Sequence, residues 1–125
     1  MSRKHLLLLF WLVGILFPMA LFTRYSATYN RWFQTVFTPE WTHVVMHAFL
    51  YAVLAVLLAR TLPPRFCHPF WLLTLVLLVA CLQEGVQLIY TASLPGRDEL
   101  FDIGVDLIGG SVGVLLAQKR LPLLE

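Results

Sequence analysis

Seven polar side chains sit within or beside long apolar stretches of this chain: His43, His47, Glu84, Gln87, Arg97, Asp102 and Asp106. A charge at the centre of a bilayer costs at least about 2.5–3.5 kcal/mol, so residues of this kind mark working sites by default. The imidazole of His47 is suited to take and return protons because its ordinary pKa, ~6.5, lies near the working range, and a neighbouring carboxylate can complete an acid–base pair. His47, Glu84, Asp102 and Asp106 are therefore the candidates for catalysis, grouped as His47 with Glu84 or as an Asp102 and Asp106 pair. Arg97 is suited to hold a phosphate or carboxylate through its forked guanidinium, and Gln87 and His43 join it as candidates for substrate binding.

Glu84, Asp102 and Asp106, with Asp98 and Glu99 just beyond them, are opposed only by Arg97 and two histidines. Carboxylates drawn together cannot all ionise cheaply, so such a group must keep a proton or recruit a cation. His43 and His47 at i, i+4, joined by Glu84 and Asp102 or Asp106, carry nitrogen and oxygen donors of the sort divalent ions take. These residues come from three segments and no HExxH-type run fixes their geometry, so the sequence assigns none of them to a metal and leaves the cofactor open. No nucleophile elbow, phosphate loop or kinase motif accompanies them.

The elements that must position these groups are membrane helices. With 59% hydrophobic and 13% charged residues over 125 positions, and a mean hydropathy of +0.78, the chain is too apolar for an ordinary soluble domain. Its net charge of +2 comes from residues scattered at segment ends, which excludes a nucleic-acid surface. Cys67 and Cys81 have neither metal-knuckle spacing nor an obvious disulfide partner. Four apolar runs, roughly 6–22, 39–62, 69–90 and 101–118, each approach the ~20 residues that cross a hydrocarbon core. They predict an all-helical, four-span bundle in a single domain. The first run follows a basic start but lacks a small-x-small cleavage site over 18–23, so it is expected to stay as a helix.

Lysine and arginine set the orientation. Arg3, Lys4, Arg60, Arg65, Lys119 and Arg120 fall on one side, and Arg24, Arg31 and Arg97 on the other, which places both termini in the cytoplasm. That topology gathers the polar residues near the outer face. Thr38 is the expected N-cap of the second span, with Pro39 at the first helical position and Glu40 complementing the helix dipole. His43, His47, Tyr51 and Ala55 then share one face, and on the third span Ala80, Glu84, Gln87 and Thr91 share another, with Glu84 about 20 Å along. The last span follows a Pro95-Gly96 turn and carries Asp102, Asp106, Gly109, Gly113 and Ala117 on one face. Gly109 and Gly113 form a small-xxx-small surface for close packing, inside the chain or between copies. Between the first two spans, Tyr25, Tyr29, Trp32, Phe33 and Phe37 recur at helical spacing, as in a short amphipathic segment lying in the outer interface.

Over about its last two-thirds the chain resembles the VanZ-like family of small membrane proteins, associated with resistance to the glycopeptide teicoplanin. The likeness rests on an ordered set: His47 before an apolar helix containing Tyr51, then Glu84 and Gln87, then Arg97, then Asp102, position 106, Gly109 and Gly113. In the family pattern an acid commonly stands four residues before the histidine and an asparagine before the paired glycines. This chain has His43 and Asp106 there, an exchange that leaves a carboxylate near the same polar cluster. The resemblance implies a compact four-helix protein of the bacterial inner membrane.

The expected function is binding or modification of a cell-envelope lipid or peptidoglycan-related ligand in an extracytoplasmic polar cavity, with membrane lipids around it. Two alternatives stay open. The polar residues can form a satisfied structural network or bind without chemistry, or they can relay protons or ions, although the inner halves of the spans are almost wholly apolar.

Overall fold

Helix formation follows the apolar runs closely. The computed structural model describes residues 1–17, 25–37, 39–91 and 94–120. Among these, five α-helices occur and no strand: α1 (Arg3–Leu16), α2 (Ala27–Phe37), α3 (Glu40–Thr61), α4 (Pro69–Thr91) and α5 (Arg97–Arg120). Three segments are long and apolar enough to cross a membrane: Glu40–Thr61, Pro69–Ile89 and Arg97–Lys119, with mean hydropathies of 2.0, 2.0 and 1.8. At 1.5 Å per residue each exceeds the ~30 Å of a hydrocarbon core. The first expected span is described only as the 14 residues of α1, and its continuation over 18–22 lies outside the described residues.

Local signals at the helix ends are partly as expected. Thr38 and Arg24 lie outside the described residues, and the N-cap position of α3 falls on Pro39, one residue later than the sequence suggests, with Glu40 in the first turn. The last helix starts earlier than expected because Arg97, Asp98 and Glu99 form its first turn rather than a preceding loop. Glu99 Oε2 accepts from the Gly96 N–H at 2.8 Å, the reach-back half of a capping box, and the two acids complement the helix dipole. In α2 the Ser26 hydroxyl accepts from the Tyr29 N–H at 3.2 Å, and Phe33 packs between Tyr29 and Phe37 with ring centroids 6.2 and 4.6 Å away.

Contacts fix the topology. Ala48 lies against Gly109 and Ala52 against Gly113, so α3 and α5 run parallel; Val76 lies against Gly110 while Glu84 lies near Asp106, so α4 runs antiparallel to both. The α3–α5 interface is the most extensive in the molecule. A Cβ added at Gly109 would collide with the Ala48 carbonyl, and one at Gly113 would collide with the Ala52 carbonyl and stand 2.8 Å from the Ala55 Cβ. These glycines, which the sequence also offers to a second copy of the chain, are buried against α3. Facing them, Ala48, Ala52, Ala55 and Ala59 give α3 a small-residue stripe, and the two backbones meet almost without side chains between them.

The interior below the polar residues is apolar: Leu54, Ala55, Leu58, Leu72, Val76, Ala80, Val114 and Ala117 are buried together. The outside is apolar too, with Phe49, Leu78, Leu82, Ile108, Val112 and Leu115 exposed. A polar interior at one end and hydrocarbon side chains outside is the distribution that a lipid solvent selects.

Candidate functional site

Histidine and aspartate recur at the same interval on two parallel helices, His43 and His47 on α3, Asp102 and Asp106 on α5. Residues four apart share a helix face, and the glycine contact brings the two faces close enough for short side chains to meet. The result is a ladder of two rungs. In the outer rung His43 Nε2 lies 3.3 Å from Asp102 Oδ1, and the side chains are 40% and 17% exposed. In the inner rung His47 Nδ1 lies 2.7 Å from Asp106 Oδ1, and those side chains are 8% and 0% exposed. The two imidazoles stack along α3 with centroids 4.4 Å apart and planes 42° from parallel.

Glu84 enters the inner rung from α4. It is buried, and one donor atom each from His47, Glu84 and Asp106 lie within 4.8 Å of one another; His43, His47 and Asp102 form a second set of the same size around the outer rung. The inner rung stands about 10–14 Å from the helix ends on this side, and the outer about 5–8 Å.

This pairing differs from that expected of the sequence. His47 is hydrogen-bonded to Asp106 rather than Glu84, and Asp102 lies within ion-pairing distance of His43 rather than against Asp106, because the parallel register of α3 and α5 sets each histidine opposite an aspartate. Chemically the inner rung resembles the orienting half of a catalytic triad: with Asp106 ionised, His47 Nδ1–H donates to it and Nε2 is left as the basic nitrogen. Two buried acceptors, Glu84 Oε1 and Asp106 Oδ2, have no hydrogen-bond partner among the described residues. A buried polar atom left unmatched costs about 1–3 kcal/mol, so a pair of them at one place calls for an explanation beyond stability.

The remaining expected residues are placed less centrally. Gln87 is half-buried on the same face of α4 as Glu84, one turn nearer the helix end. The side chain of Thr91 lies outside the described residues. Arg97 is exposed at the first residue of α5 and joins neither rung. It stands about 7 Å along the helix from Asp102 and about 13 Å from Asp106. It is therefore not the counter-charge of the acids.

One network escapes the sequence reading. Tyr51, wholly buried one turn below His47, donates from its hydroxyl to Gln83 Oε1 at 2.7 Å, and Gln83 Nε2 donates to the Ile15 carbonyl at 3.2 Å. Ile15 belongs to the last turn of α1, so Gln83 supplies a donor to a helix-end carbonyl. Trp11 Nε1 also donates to the Leu50 carbonyl at 2.9 Å. Polar side chains in three otherwise apolar segments were the available signal, and Gln83 was hidden by its neighbour Glu84, which points elsewhere around α4.

No protein-family model, curated protein or solved structure matches this chain.

Proposed function

We propose that this chain is a VanZ-like, four-span protein of the bacterial inner membrane that binds a cell-envelope lipid or glycoconjugate at the extracytoplasmic end of its bundle and modifies it by acid–base chemistry. In this reading α1 and the residues after it form the first span, both termini are cytoplasmic, and α2 lies in the outer interface with Tyr29, Phe33 and Phe37 toward the acyl chains. His47 is the base, oriented by Asp106; Glu84 is the acid; His43 and Asp102 line the approach. Gln87 and the exposed Arg97 stand nearer the surface, where a headgroup phosphate or carboxylate meets them first. A link to glycopeptide resistance follows from the same resemblance.

The observation that supports this most directly is the pair of unpartnered buried acceptors, Glu84 Oε1 and Asp106 Oδ2, beside the 2.7 Å His47–Asp106 contact. Such acceptors count against a network that only holds helices together, since each interhelical hydrogen bond in a membrane returns only ~0.6 kcal/mol and each unmatched group more than cancels it. Ion or proton transport has less support, because beyond the Tyr51–Gln83 pair the buried core is leucine, valine and alanine.

Native mass spectrometry of the protein released from a mild detergent tests the reading. The wild-type chain is expected to retain a lipid-sized adduct that the folded Glu84→Gln variant loses. An adduct held equally by both, or by neither, would remove the cluster from lipid recognition.

A further inference from the structure

We propose that the inner rung is a divalent transition-metal site with His47, Glu84 and Asp106 as its protein ligands. Three donors of the required types, one imidazole nitrogen and two carboxylate oxygens, come from three different helices and lie within 4.8 Å of one another. Ligand atoms around a tetrahedral zinc are about 3.3–3.6 Å apart, so small side-chain rotations close the set on an ion. All three residues are buried, at 6%, 4% and 0% exposure. Independently, Glu84 Oε1 and Asp106 Oδ2 are buried acceptors that no described donor reaches. A cation is the partner both lack.

Charge favours the same answer. Two carboxylates about 10–14 Å inside the helix ends are expensive in hydrocarbon, and one divalent ion neutralises both. The mixed nitrogen and oxygen set suits zinc, manganese or ferrous iron over calcium or magnesium, which prefer oxygen alone. Three protein ligands leave a four-coordinate ion one open position, the arrangement of a catalytic rather than a structural site. The partly exposed His43–Asp102 rung stands between the three ligand residues and the helix ends. The ion would supply a Lewis acid and an activated water where the side chains by themselves offer only proton transfer.

The proposal goes beyond lipid binding: with the ion held, His47, Glu84 and Asp106 serve as ligands in place of their roles as base, acid and orienting group, and it is tested without lipid. Protein stripped with a chelator in detergent is titrated with Co2+, whose four-coordinate complexes absorb in the visible. One equivalent per chain is expected, displaced by Zn2+, lost in Glu84→Gln and Asp106→Asn, and kept in Asp102→Asn. In a Cys67→Ser, Cys81→Ser background, folded Asp106→Cys should keep the ion and add a sulfur-to-cobalt charge-transfer band that the background protein lacks. Helical, monodisperse wild-type protein that binds no Co2+ overturns the site, as does binding that survives Glu84→Gln, fails in Asp102→Asn, or shows no new band in folded Asp106→Cys. A Glu84-dependent lipid adduct without Co2+ binding removes only the metal; Co2+ binding without the adduct removes only the lipid reading.

Discussion

His47 and Asp106 are the residues on which the site turns. Their 2.7 Å contact joins groups that are each costly to bury alone, so removing one strands the other. Asp106→Asn takes the ionisable partner from His47 and should lower stability by about 1–3 kcal/mol. His43→Asp, made in the same background, puts an acid one turn above, next to an imidazole whose ring centroid is 4.4 Å from that of the residue it replaces. If the histidine at 43 and the acid at 106 are linked substitutions, the double variant should be more stable than the sum of the singles by at least about 0.5 kcal/mol in a double-mutant cycle. A double variant no better than additive would make the exchange a coincidence. Glu84 shares one feature with Asp106: each has a carboxylate oxygen that nothing in the described structure satisfies.

The ladder exists because α3 and α5 approach closely, and that approach is a property of helix faces. Gly109 and Gly113 meet the Ala48 and Ala52 carbonyls where any larger residue would push the helices apart. Gly113→Ala and Gly109→Ala should each cost about 1–3 kcal/mol by overpacking, or more where the backbones cannot shift. They should also lengthen the His47–Asp106 contact, seen as loss of Co2+ affinity out of proportion to loss of helicity. Gly104 is the control. A Cβ there meets nothing within 4 Å, so Gly104→Ala should be neutral or gain up to about 1 kcal/mol from helix propensity. Thermal unfolding in detergent separates the three. Equal tolerance at all three positions would show that close approach is not what builds the site.

For the molecule as a whole, topology decides which solvent the site faces. The cluster lies at the end where α3 and α5 begin and α4 ends; the tight connection containing the 3-10 turn Pro64–Phe66 lies at the other end. Cys67 follows that turn, half-buried, with its thiol 3.3 Å from the Ala59 carbonyl. In the proposed topology, argued from six basic residues against three, this end is cytoplasmic. In a Cys81→Ser background, Cys67 should resist a membrane-impermeant maleimide in intact cells and react after permeabilisation. Labelling of intact cells would turn the molecule over and put the ladder on the cytoplasmic side, ending any role with outer-leaflet substrates.

Period and hydropathy are local properties, and they determined the all-helical class, the three long apolar helices and which residues share a face with His47, Glu84 or Asp106. They also picked out the five residues that the tertiary structure gathers, since a charged side chain in an apolar run is conspicuous without any coordinates. Helix ends were less legible, as Pro39 and Arg97 show, because capping depends on which backbone groups remain unpaired. The partners were not legible at all. His43 meets Asp102 and His47 meets Asp106 only because α3 and α5 are parallel and in register, which is set by glycine and alanine faces separated by some sixty residues of chain. Arg97 stays outside the cluster because it opens the same helix that carries Asp102 and Asp106, and the Tyr51–Gln83–Ile15 link depends on where α1 docks. Sequence spacing reports the face a residue occupies on its own helix; which residue it meets across the gap is decided by packing between helices.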